Sequence, residues 1–99
     1  MVDASLYLRY MELTEPIIVG VHIQAVGEYL GSAKDMDNLR NLMQGENAFF
    51  RGGDLGAAVS NFQTIYDAIP ASEEIVRQHA HVVLLEAKGC QRKYLQSLN

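Results

Sequence analysis

The feature that most constrains this chain is a tight turn, Gly52-Gly53-Asp54, set between two stretches of helical periodicity. Before it, Leu39, Leu42, Met43, Phe49 and Phe50 form an apolar stripe. After it, Leu55, Ala58, Val59, Phe62, Ile65, Tyr66 and Ile69 form another, at the three-and-four spacing of a buried helical face. The two glycines stop the first helix, and Asp54 is placed to cap the second, its carboxylate accepting from backbone N–H groups that lack an intrahelical partner. Pro70 ends the second helix. A link this short fits only an antiparallel hairpin. Ala58 is small enough to let the two helices approach, and Phe49 and Phe62 fill the space on either side.

The rest of the chain reads as further helices around this pair. Asp3 is placed to cap a short first helix with Leu6, Tyr7, Tyr10, Met11 and Leu13 on its stripe. Pro16 suits the first turn of a second helix that runs to about Gly31. Its inward positions are read as Ile17, Ile18, Val21, Ala25, Val26, Tyr29 and Leu30, with Val19 and Ile23 off the stripe. Gly20 and Gly27 weaken this helix and mark close approach. Ser32, Asp35 or Asp37 caps the next one. Ser72, Glu73 and Glu74 start the last and longest helix, from Glu73 to about Leu98, whose Val76, Ala80, Val83, Ala87, Cys90 and Tyr94 recur at four-three-four-three-four spacing. The expectation is an all-α chain of about five helices, built of antiparallel hairpins with a long C-terminal helix, forming a single domain over residues 1–99.

Composition narrows what such a domain does. Hydrophobic residues are 48% and charged residues 20% of the chain, as in a globular protein and unlike a disordered tail. A net charge of −4 argues against nucleic acid and anionic membranes, both of which call for a basic surface. The single cysteine, Cys90, allows no intrachain disulfide and no cluster of several thiolates, which favours a reducing, cytoplasmic setting. Residues 1–5 carry no basic region leading into an apolar run, and no apolar run reaches the ~18 residues of a membrane span.

The residues capable of chemistry have plainer roles. His79 and His81 are two apart on a helix and point about 200° away from each other, whereas helical metal ligands sit three or four apart. His22 stands alone in the sequence, and Cys90 falls on the apolar stripe, where cysteine acts as a small hydrophobe. Gly45, Gly52, Gly53 and Gly56 lack the Gly-Lys-Ser/Thr ending of a phosphate loop and no strand leads into them. Asp35 with Asp37, and Glu73 with Glu74, are explained by helix capping. No enzyme, metal or cofactor is expected.

The order Leu42, Gly45, Glu46, Phe49, then Gly53-Asp54, then Ala58, Phe62 and Pro70 resembles one helix-pair repeat of the tetratricopeptide family, over about residues 39–72. Gly45 stands where that repeat has a large apolar residue, and Glu46 where it has its small one. Displacing the chain by the ~34 residues of the repeat lays Gln24 on Ala58 and Glu28 on Phe62, so no copy precedes it, and lays Ala80 on Glu46 and Val83 on Phe49, as in the first helix of a following unit. The resemblance implies a concave groove that grips a partner segment, lined here by Arg40, Met43, Asn47, Phe50 and Arg51. It implies a non-enzymatic, chaperone- or adaptor-like interaction module that occludes a partner protein, in the manner of small bacterial secretion chaperones. The alternative is a small regulator that blocks assembly of a transcription factor or enzyme. A second surface is expected on the last helix, where Val82-Val83-Leu84-Leu85 covers most of the circumference. Val83, Leu84, Ala87, Cys90 and Tyr94 are read there as the seam of a homodimer or of a complex with a helical partner.

Overall fold

A computed structural model describes residues 16–98, with side chains from Val19 onward. These residues form four helices: α1 (Pro16–Ser32), α2 (Met36–Asn47), α3 (Leu55–Ala68) and α4 (Glu74–Ser97), with one π turn, Ala48–Gly52, closing α2. The described secondary structure is wholly helical, with no strand. There are four helices here and not about five; the short helix expected over Asp3–Leu13 lies outside the described residues.

The helix ends follow from local chemistry. α1 passes Gly31 and stops where Lys34 takes a left-handed conformation, φ 59°. There the Lys34 and Asp35 N–H groups donate to the Gly31 and Leu30 carbonyls at 3.1 and 3.0 Å, closing the last turn. Of the three candidate caps for α2, Asp35 is used: its side chain accepts from the Asn38 N–H at 3.2 Å. Asp54 caps α3 as expected, accepting from the Ala57 N–H at 3.1 Å. Pro70 holds the residue before it extended, Ile69 at ψ 125°, and α3 ends at Ala68. α4 starts without help from Ser72; Glu73 occupies the cap position and makes no side-chain cap bond.

Each helix packs on the next, and α4 packs back on α1, so the four close a ring. They meet at a void of about 10 Å³ bounded by Val26 of α1, Leu42 of α2, Phe62 and Ile65 of α3, and Ala80 and Val83 of α4. α3 and α4 bury the expected stripes, including Leu55, Ala58, Phe62, Ile65, Val76, Ala80 and Ala87. α1 does not. Its buried line is Val19, Ile23, Val26 and Leu30, while Val21 is 57% exposed. α1 is apolar nearly all round, so its own pattern leaves the face open; the four-three-four run beginning at Val19 is the one that meets the neighbours. Gly27 lies against Leu42 Cδ2, 3.4 Å from where a β-carbon would sit, whereas Gly20 has nothing within 4 Å.

Among the glycines, Gly45 sits tightest against a neighbouring helix. A β-carbon there would fall 2.7 Å from Phe62 Cε1 and 3.1 Å from Asn61 Cβ, so α2 touches α3 through a residue with no side chain. Ala58 is fully buried as expected, but the small residue that sets the spacing is Gly45, and Glu46 beside it is exposed. No described helix is long and apolar enough to cross a membrane.

Candidate functional site

α2 buries Leu42 and Gly45 and leaves its opposite side to solvent. On that side Arg40, Met43, Asn47, Phe50 and Arg51, the five residues expected at a groove, line one open cleft of about 590 Å³ with Gln44 and Glu46. Their spacing places them on one helical face, and the span from Arg40 to Arg51 is about 16 Å at 1.5 Å per residue. Met43 is 66% exposed at the middle of the cleft. Phe50 is half-buried and edge-on to Phe49, ring centroids 4.9 Å apart, and Phe49 in turn meets Phe62 at 6.2 Å. The groove floor thus carries one aromatic ring, Phe50, tied to the core through Phe49, with the Met43 thioether beside it.

The π turn shapes the lower end. The Gly53 and Asp54 N–H groups both donate to the Ala48 carbonyl, and Gly53 takes φ 64°, a conformation that glycine adopts without strain. The widened turn carries Phe49 inward and presents Phe50 and Arg51 along the cleft; π turns recur at functional sites. Arg40 and Arg51 sit at the two ends, and Glu46, exposed, adds a carboxylate between them. Arg40 lies 3.7 Å from Asp37, with both side chains well exposed, a contact that holds the arginine only loosely. The arrangement can hold an apolar side chain between two positive groups, with one carboxylate on the same face.

The second expected surface is corrected by the structure. Val83, Leu84, Ala87 and Cys90 are buried in the chain's own core, and Tyr94 is half-buried against it. The ring of helices already covers the line Val76, Ala80, Val83, Ala87, Cys90, so these side chains form core and not open surface, and of the five expected at the seam only Tyr94 keeps part of its side chain exposed. Of the four consecutive apolar residues, Val83 and Leu84 turn inward and Leu85 remains 52% exposed. Burial pushes the Cys90 thiol up from its ordinary 9.0, Glu86 adds to this and Lys93 opposes it. A thiol held protonated in this way is a packing group and not a nucleophile at neutral pH.

Sequence reasoning missed one pair. His22 is not alone: its Nδ1 lies 2.7 Å from Nδ1 of His79, joining α1 to α4. The ring centroids are 5.0 Å apart, which is that distance plus about one ring radius at each end, so the two nitrogens face each other in line. This is hydrogen-bond geometry, with one nitrogen donating N–H and the other accepting. A shared metal would need both lone pairs to meet at a point ~2.0–2.1 Å from each nitrogen. Among the described residues no group of three or more His, Cys, Asp or Glu side chains gathers at a metal-binding distance. No local signal foretells a contact between residues 57 positions apart. His81 does point elsewhere, toward the Tyr66 ring at 5.3 Å.

Comparison of the chain with family models, with curated proteins and with solved structures gave no match.

Proposed function

We propose that the chain is a non-enzymatic protein-interaction module whose α2 groove takes an amphipathic segment of a partner protein and shields it, as a chaperone or adaptor does. The observation that carries this reading is the groove itself: Met43 and Phe50 lie exposed or half-exposed between Arg40 and Arg51 on one face. Apolar side chains in a cleft with a polar rim favour docking of a helix or extended strand by its apolar face, and the two arginines favour acidic residues flanking that face. The tetratricopeptide-like reading of α2 and α3 as an antiparallel hairpin is supported by the two-residue link Gly53-Asp54 and by the approach of Gly45 to Phe62. A cytoplasmic setting and assembly with a protein partner belong to the same proposal.

The test is to capture the partner from native cells with the full chain, identify it, and repeat the binding with two variants. Phe50→Ala and Arg51→Glu are each expected to weaken binding about tenfold or more, as removal of an aromatic anchor or reversal of a facing charge does. Arg51→Glu is expected to shift folding stability by no more than ~0.5 kcal/mol, since the residue is exposed. Unchanged binding in both variants would place the site elsewhere.

A further inference from the structure

A second cleft, of about 240 Å³, lies between the end of α3 and the first turns of α4, lined by Tyr66, Ala71, Glu74, Arg77, Gln78 and His81. It shares no residue with the α2 groove. Its centre is Arg77, half-buried, with Cζ 4.5 Å from the centroid of the Tyr66 ring. Tyr66 also meets His81, at 5.3 Å and an interplanar angle of 32°. A cation held over an aromatic face in this way uses none of its N–H donors. The Arg77 side chain has no ion pair or hydrogen bond among the described residues, its backbone N–H being taken by the Glu73 carbonyl, and its Nε is buried with no partner. Glu74, one turn earlier on α4, lines the same cleft without bridging to it. A partly desolvated cation, with its Nε shut away and its terminal N–H groups without a protein acceptor, is the arrangement that an anion at those terminal groups completes.

We propose that this cleft binds a single carboxylate group, held by the Arg77 fork, with Gln78 and His81 as flanking donors and Ala71 and Tyr66 against the carbon stem. The guanidinium fork matches the two oxygens of a carboxylate. Phosphate has the same appetite for the fork, but Glu74 on the rim and the net charge of −4 repel a dianion more than a monoanion. The volume suits either a small free acid or one acidic side chain of a protein segment. The inference stands apart from the α2 groove: Arg51→Glu leaves it unaltered, so the two readings fail separately.

The test uses the full ¹⁵N-labelled chain and follows the Arg77 and Gln78 side-chain signals in three titrations at constant ionic strength: propionate, a blocked peptide with one central glutamate, and inorganic phosphate. Saturable shifts with propionate or the peptide are expected at millimolar concentration, on the order of −4 kcal/mol of binding at 1 mM. Tighter binding of the peptide assigns the carboxylate to a protein segment, and equal or tighter binding of propionate assigns it to a small acid. Arg77→Met keeps the stem over Tyr66 and removes the fork; it is expected to weaken binding at least about tenfold. Should that variant fail to fold by circular dichroism, Arg77→Lys keeps the charge without the fork and is expected to weaken binding several-fold. Shifts linear in carboxylate, tighter binding of phosphate, or unchanged affinity in the folded Arg77 variant would each overturn the proposal.

Discussion

The α2–α3 and α1–α4 contacts are made in opposite ways. α2 meets α3 through shape: a glycine against the edge of Phe62, with Phe49 packed edge-on beside it. α1 meets α4 through apolar packing and one polar pair, His22 with His79, part-buried. The first contact joins stretches linked by two residues, and the second joins residues 57 apart. A contact made by shape resists any added or lost volume. A contact containing a paired polar group resists loss of one member far more than replacement of both.

Changes at Phe62, at Gly45, at the His22–His79 pair and at Lys34 test this contrast, in order of expected effect. Phe62→Ala should cost about 3–5 kcal/mol in urea unfolding, because the ring is buried where all four helices meet. A loss under ~1 kcal/mol would mean that the α2–α3 contact does not depend on shape. Gly45→Val should cost about 1–3 kcal/mol by overpacking, against a partial gain in helix propensity. If Gly45→Val proves stabilising, Phe62 has room to yield and the two contacts are less different than argued here. His79→Ala should cost about 1–3 kcal/mol, part of it from leaving His22 without its partner, whereas His22→Phe with His79→Phe together should come close to neutral. A double variant worse than the sum of the singles would make the α1–α4 contact another matter of fit. Lys34→Gly, at the corner between α1 and α2, should stabilise by about 0.5–1 kcal/mol, since it relieves a left-handed residue that has a side chain.

A pH measurement adds the smallest effect. The folded-state thiol of Cys90 is held above its ordinary 9.0, so its contribution is complete below pH 9 and is lost as pH rises through the folded value. The urea midpoint of the wild type should therefore fall more steeply above pH 9 than that of Cys90→Ala. Parallel curves would show that the thiol is no more shielded in the fold than in the unfolded chain.

What was legible in the sequence was local. Asp54 as a cap, Pro70 as a stop and the stripes of α3 and α4 follow from a few neighbouring residues each, and so does the clustering of Arg40, Met43, Asn47, Phe50 and Arg51 on one helix face. α1 is legible only in part, at Val26 and Leu30, because most positions from Val19 to Val26 are apolar or small, so periodicity does not decide between Val21 and the line of Val19 and Ile23, and the neighbours chose between them. The proposed seam on α4 failed for a related reason. A run such as Val82-Val83-Leu84-Leu85 tells that some residues must be covered, not by what, and closure of the ring by α1 supplied the cover. The histidine pair and the Arg77–Tyr66 stack lie between helices, where no one-dimensional pattern records them.

The π turn at Ala48–Gly52 has a consequence for how such a chain can change by insertion and deletion. It loops one more residue per hydrogen bond than an α turn does, as the Gly53 N–H to Ala48 carbonyl bond records. Deleting one residue there would let the segment rewind as ordinary α-helix, and because the wider turn only accommodates that extra residue, α2 would keep close to its present orientation, with Gly45 still against Phe62. Phe50 and Arg51 ride on the turn itself and would shift relative to Arg40 and Met43, while Asp54 could still cap α3. A length change of one residue would thus rework the lower end of the groove while sparing the helix packing, and descendants of this chain that keep the groove are expected to keep the length of this turn before they keep the identity of its residues.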